Sequence, residues 1–297
     1  MSSADRRNPA AAGVDRRNPM AAHRRTSWKL AVAIAGDQAR PDAFVVFRGF
    51  ERSIRRAAEL GFDGVELAMK SADEVEPERL AALLDATRIE VSAVSTGQVY
   101  ADSGLSLTDT DPDRRARAVE TLRSLVDLAA RFGRRLNIGR VRGRIAGRDP
   151  AGVRTLLAES LRALADHAGP LGVQLVVEPV NRYETDFLNS VEEAAVFVRD
   201  ARVPGLALMP DLFHMNIEDR DIAATLCEHA TAIGYVHLAD SNRRAPGQGH
   251  TDFDAAFAAL RAGGYQGWFS VEILPLPDPD TAAAQAIEFL RPRMETS

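Results

Sequence analysis

In the stretch Val176-Val177-Glu178-Pro179 an apolar run ends in a carboxylate. Burying that group costs free energy unless it is paired or bound to a cation, and the following proline cannot donate to a sheet ladder, so a strand must end there. Three more residues stand in the same kind of place: Asp211 in "LALMPDLFHMNIED", His237 in "GYVHLADSNR" and Glu272 in "WFSVEILPLP". The steps from Glu178 onward are 33, 26 and 35 residues, each the length of one strand–helix unit. Taken singly, each has an ordinary structural role: Glu178 or Asp211 as a helix cap, His237 as a satisfied core histidine, Glu272 as the partner of an arginine. Brought together, three carboxylates and one imidazole repel or stay underpaired unless a divalent cation holds them. An oxygen-rich set with one nitrogen suits one Mn²⁺, Mg²⁺ or Co²⁺ ion better than a His- or Cys-rich zinc site does.

Elements must exist that place these four residues at one point. Strand-like runs cover 29–36, 64–68, 90–95, 136–141, 173–177, 206–209, 234–238 and 268–273. Stretches with helical periodicity lie between them at 50–60, 78–87, 112–132, 150–168, 190–200, 222–232, 253–262 and 281–290. Gly61, Gly133 and Gly263 suit C-terminal caps, and Ser190 and Asp252 suit N-caps. Eight unmixed strand–helix pairs predict an α/β fold, a single-domain (β/α)8 TIM barrel with its functional groups at the C-terminal strand ends. A doubly wound open sheet is the alternative, weakened because no G-x-G-x-x-G follows the first strand.

Composition narrows the function. The 297 residues are 45% hydrophobic and 27% charged, and 37 basic against 42 acidic residues give no footprint for nucleic acid. No apolar stretch reaches the roughly 20 residues of a membrane helix. The one cysteine, Cys227, excludes an internal disulfide and reads as a small core residue of a cytoplasmic protein. Residues 1–27 contain "DRRNP" twice and no apolar signal core, so a disordered tail is expected there, with Met20 as an alternative start and residues 28–297 as the barrel domain.

The motifs "EPVNRYETDF", "PDLFHMNIED", "VHLADSNRRAPGQGHTDF" and "SVEILPLP" resemble, in order and spacing, the signatures of xylose-isomerase-like TIM-barrel sugar isomerases and epimerases. Within that group they are most similar to ketose 3-epimerases of the tagatose 3-epimerase type, and among these to the 5-keto-L-gluconate epimerase branch. The likeness covers residues 29 to 290 or so. It implies Glu178, Asp211, His237 and Glu272 as metal ligands, with Mn²⁺ the first expectation. It also implies Glu184, His214 and Arg243 as substrate anchors, and a homo-oligomer, dimer or tetramer.

The chemistry implied is inversion at C3 of a ketose or keto-sugar acid. A cation on O2 and O3 stabilises the enediolate left when the C3 proton departs. Glu178 and Glu272, flanking the substrate, then act as the acid/base pair, with Asp211 and His237 as ligands only. His214 and Arg243 donate to O2, and Glu184 holds the C1 hydroxyl. Glu66, closing strand 2 in "GVELAMK", is a further candidate for substrate contact. Arg140, Arg142 and Arg144 alternate at the end of strand 4 and suit an anionic substrate end, a carboxylate or a phosphate; the resemblance of "VRGR" to the 5-keto-L-gluconate epimerase branch favours Arg142, and a carboxylate over a phosphate. The long segment Thr96–Asp113 reads as a lid. An aldose–ketose isomerase such as a hydroxypyruvate isomerase uses the same intermediate and is the nearest rival. A three-metal DNA-repair endonuclease would need more histidines and a basic face. A non-catalytic sugar-binding barrel would be expected to lose a glutamate of the pair.

Overall fold

The structure is a computed structural model and describes residues 28–295. The expected tail over residues 1–27, with Met20, lies outside the described residues.

Eight parallel strands run β1 (Lys29–Ala35), β2 (Gly64–Ala68), β3 (Glu90–Ser95), β4 (Arg135–Ile138), β5 (Gln174–Val177), β6 (Leu206–Leu208), β7 (Val236–Leu238) and β8 (Trp268–Val271). Their spatial order is β6-β5-β4-β3-β2-β1-β8-β7, with the two-residue segment Phe47–Arg48 beside β1. The two ends of this order meet through parallel bridges Leu208–Ile233 and Asp211–His237, and the His237 amide donates to Pro210 at 2.9 Å. The sheet therefore curls round on itself as a TIM barrel, and the last bridge already joins two of the four candidate ligands.

Side-chain alternation explains the curl. In "KLAVAIA", Leu30, Val32 and Ile34 pack outward in the main core, while Ala33 and Ala35 belong to a small inner cluster with Ala43, Val45 and Ala68. The same period of two sends Val65 and Leu67, Leu136 and Ile138, Val236 and Leu238, and Phe269 and Val271 into the outer core. It leaves Glu66, Asn137, His237 and Ser270 to the buried interior of the barrel. Aliphatic residues glue strands to helices, and small or polar ones fit the narrow centre.

The helices are α1 (Phe50–Leu60), α2 (Pro77–Thr87), α3 (Gly97–Ser103), α4 (Pro112–Arg131), α5 (Pro150–Ala168), α6 (Val191–Ala201), α7 (Leu212–Glu218), α8 (Ile222–His229), α9 (Phe253–Ala262) and α10 (Pro279–Glu295). Asp111, Asp149, Ser190 and Asp252 cap α4, α5, α6 and α9 through their side chains, and α4 and α5 carry proline in the first turn. No described helix is long and apolar enough to cross a membrane.

Three expectations need correction. Strand β4 stops at Ile138, and Arg140–Arg142 form a 3₁₀ turn instead of a strand end. The segment 96–113 is no free lid: it begins with α3, and Leu107 is tied to the Val141 carbonyl at 2.8 Å and accepts from Ser160 Oγ at 2.8 Å. Cys227 is exposed, because α8 turns only Leu226 fully into the core.

Candidate active site and metal centre

Four strand ends on one side of the barrel, β5 to β8, deliver Glu178, Asp211, His237 and Glu272, and one donor atom from each lies within 4.8 Å of the others. His237 Nδ1 is the hub, 3.4 Å from Glu178 Oε1, 3.5 Å from Glu272 Oε2 and 3.9 Å from Asp211 Oδ2. Asp211 divides its two oxygens. Oδ1 caps α7 by accepting from the Phe213 amide at 2.8 Å, while Oδ2 faces the cluster and accepts from Arg243 Nη1 at 2.7 Å. The plain capping role thus takes one oxygen and leaves the other to the cluster. Glu178 Oε2 is steadied by Asn137 Nδ2 at 3.0 Å, and Gly139 leaves the room, since a Cβ there would sit 2.8 Å from that oxygen.

These residues fit a divalent cation. His237 Nδ1 is buried with no hydrogen-bond partner, although three carboxylates face it. Burial works against a charged imidazole, yet Glu66, Glu272 and Glu178 outweigh it and hold the His237 pKa well above the ordinary value. The site thus draws positive charge to the place where a ligand lone pair would meet an ion. Burial lifts Asp211 to about 6 even with Arg243 and His237 beside it. Glu272 is carried the other way, down to about 2, because His237 and Arg243 overcome its burial. By contrast, the group Glu192, Glu228 and His229 on α6 and α8 is largely exposed, with His229 Nε2 2.9 Å from Glu192 as in an ordinary surface pair.

Arg243, His214 and Glu184 surround the cluster and line one pocket with Glu178 and Glu272. Arg243 is held in a left-handed backbone conformation (φ 60°). Its guanidinium lies between the rings of Phe44 and Phe213, 4.6 and 4.7 Å from their centroids, and bonds Asp211 and Glu272. The loop that holds it is wound on the buried Asp240 carboxylate, which accepts from the amides of Ser241, Gly247 and Thr251. His214 Nδ1 receives the Asn181 side-chain amide at 2.7 Å and the Asn181 backbone amide at 3.3 Å. With Nδ1 accepting, the proton falls on Nε2, which lies 3.7 and 4.0 Å from Asp211 and Glu178 and 3.5 Å from Arg243 Nη1. Burial, with Arg243 alongside, keeps this imidazole far below its ordinary pKa, so it is a neutral donor. Glu184 is raised by burial and lies 3.9 Å from Arg140 Nη1.

Two expected substrate residues are not at the pocket surface. Arg142 is fully buried and donates to the carbonyls of Gly139, Phe187 and Leu188 at 2.8 to 3.1 Å, so it braces the loop after β5. That burial pushes its guanidinium down to about 10. The 3₁₀ turn sends Arg140 to the pocket in its stead, while Arg144 lies exposed beside Asp186. Glu66 is also fully buried, beneath the pocket, where its Oε2 accepts from His237 Nε2 at 2.8 Å. Sequence reasoning missed Phe44, Asn137, Asn181 and Asp240. Asn137 alone left a signal, as the polar residue between outward Leu136 and Ile138.

Residues 54–293 match the Xylose isomerase-like TIM barrel family, and the chain belongs to that family. It is 29% identical over 270 residues to an L-ribulose 3-epimerase of Methylomonas sp. (strain DH-1), an alignment spanning 82% of this chain and 92% of the relative. It is 28% identical over 251 residues to a 3-dehydro-D-guloside 4-epimerase of Escherichia coli (strain K12), spanning 80% and 92%. A crystal structure of D-allulose 3-epimerase from Methylomonas sp. superposes with a TM-score of 0.78 at 26% identity, covering 90% of this chain and 98% of the other. With such relatives, the chain is an enzyme of the isomerase class.

Proposed function

We propose that the chain is a divalent-metal-dependent epimerase that inverts C3 of a ketose or keto-sugar acid, with Glu178 and Glu272 as acid/base pair. The observation that carries this is the convergence of both glutamates and Asp211 on the bare Nδ1 of His237. Glu178, Asp211, His237 and Glu272 would hold the cation, and when bound it supplies a positive centre for charge developing on the substrate oxygens.

The protein's own groups account for the proton traffic. One glutamate, starting as the carboxylate, takes the C3 proton from one face, the C3–H electron pair moves into the enediolate, and the other, entering the cycle as the carboxylic acid, gives its proton to the opposite face, so each turnover exchanges their protonation states. His214, kept neutral with its proton on Nε2, and Arg243, clamped between two rings, are preorganised donors for oxygen charge. The raised pKa of Glu184 suits a group that shares a proton with a substrate hydroxyl. Arg140, 3.9 Å from Glu184, lines the same pocket, and its guanidinium makes no hydrogen bond to the described residues. That supports a carboxylate-bearing ketose over a neutral one.

The test is a panel of free, carboxylated and phosphorylated ketoses incubated with Mn²⁺-loaded protein in D₂O, with the label located by NMR. Deuterium at C3 is expected. Label at C1 or C2 would instead identify an aldose–ketose isomerase, and label at C4 would move the reaction one carbon, as the name of the Escherichia coli relative describes for that protein.

A further inference from the structure

Behind the pocket, at the buried centre of the barrel, lies a polar chain that ends on His237. Glu66, Ser92, Tyr235 and His237 are each 0% exposed. Glu66 Oε2 accepts from His237 Nε2 at 2.8 Å and from the Tyr235 hydroxyl at 3.1 Å. The Tyr235 hydroxyl lies 2.6 Å from Ser92 Oγ, which is 3.1 Å from the Val65 carbonyl. Glu66 Oε1 has no partner.

For stability alone this arrangement is a poor choice. A buried carboxylate with one oxygen unpaired costs free energy that a small aliphatic residue would avoid. The strand positions paired with it hold such residues, Ala33 on β1 and Ala93 on β3. What Glu66 achieves is on His237. By accepting a hydrogen bond from Nε2–H it keeps the proton there and leaves the lone pair on Nδ1, the atom that faces Glu178, Asp211 and Glu272. It also fixes the ring rotation, because a flipped imidazole would lose the 2.8 Å bond. A negative charge behind a ligating imidazole makes that imidazole a stronger donor.

We infer that Glu66, oriented by Tyr235, is the positioning residue that sets the affinity of the His237 site for its cation. The inference rests on the metal-dependent reading of the site and adds to it a residue that touches neither ion nor substrate.

The experiment is calorimetric titration of Mn²⁺ into metal-stripped wild type, Glu66→Gln and Tyr235→Phe, with thermal melting of each metal-free protein. Gln keeps an acceptor oxygen of the same shape but no charge, so the Mn²⁺ Kd should rise about 10- to 100-fold. Tyr235→Phe should raise it severalfold. Metal-free Glu66→Gln should melt no lower than wild type, whereas a residue of purely structural value would lower melting and leave Kd alone. Wild-type Mn²⁺ affinity in folded Glu66→Gln would overturn the inference while leaving the metal reading intact. If Glu66→Gln does not fold, Tyr235→Phe decides alone, and an unchanged Kd there overturns it. No Mn²⁺ binding by wild type would overturn both.

Discussion

His214 and Arg243 act as donors here because their neighbours leave them no other state. Asn181 occupies one nitrogen of His214, and two aromatic rings with two carboxylates immobilise Arg243. On the proposed two-base mechanism, Glu178→Gln and Glu272→Gln should each lower kcat by about 10²–10⁴-fold. Metal content must be read alongside; a metal-loaded variant of near wild-type activity would rule out the two-base mechanism. The arginines divide by role. Arg140→Ala should raise KM for a carboxylated ketose about tenfold to a hundredfold, the loss of one or two charge-assisted hydrogen bonds, and leave a neutral ketose unaffected. Arg142→Ala should instead lower thermal stability, since buried carbonyls lose their donor at roughly 1–3 kcal/mol each. Equal kinetic effects of the two substitutions would show that neither reads substrate charge.

At the level of elements, the turn after β4 decides which side chain enters the pocket. Gly139 lets the chain leave the strand close against Glu178, and the 3₁₀ turn that follows buries Arg142 and leaves Arg140 lining the pocket. Gly139→Ala places a methyl 2.8 Å from Glu178 Oε2. The backbone there is not left-handed, so the carboxylate yields rather than the fold. Melting within a few degrees of wild type is expected, with kcat reduced at least tenfold, the order of loss a misplaced catalytic group brings. A large drop in stability with kcat intact would contradict that division.

The whole molecule couples this site to stability. A cation bound only by the folded barrel stabilises it by about 2.7 kcal/mol at a hundredfold excess over Kd, so chelation should lower Tm and Mn²⁺ restore it. A melting temperature indifferent to both would argue against a metal held at these strand ends. Elsewhere, Asp219 closes α7 with Oδ2 buried and without a hydrogen bond, and burial raises it from 3.8 to about 6. The folded state then binds its proton more tightly than the unfolded chain does. Its cost is absent below the unfolded pKa, grows as pH rises between 3.8 and about 6, and is full above that. Asp219→Asn should therefore raise Tm by roughly a few degrees at pH 7 to 8 and have no effect near pH 3.5. A stabilisation independent of pH would show that charge burial is not its cause.

Glu178, Asp211, His237 and Glu272 were legible as a set because a parallel barrel converts sequence period into position: a polar residue at a strand's last turn is carried to the same mouth as its counterparts. The alternation of large and small residues in "KLAVAIA" likewise carries the curl of the sheet in one dimension. Depth and direction were not legible. "GRVRGR" offers three equivalent arginines until a turn at Gly139 breaks the period of two, and Glu66 reads like a mouth residue until its partner proves to be the far side of His237. The proton on His214 Nε2 and the rings about Arg243 depend on residues tens to hundreds of positions apart. Local pattern determines which residues reach the site; only the packed tertiary structure decides which atom of each faces it, because that choice belongs to the neighbours.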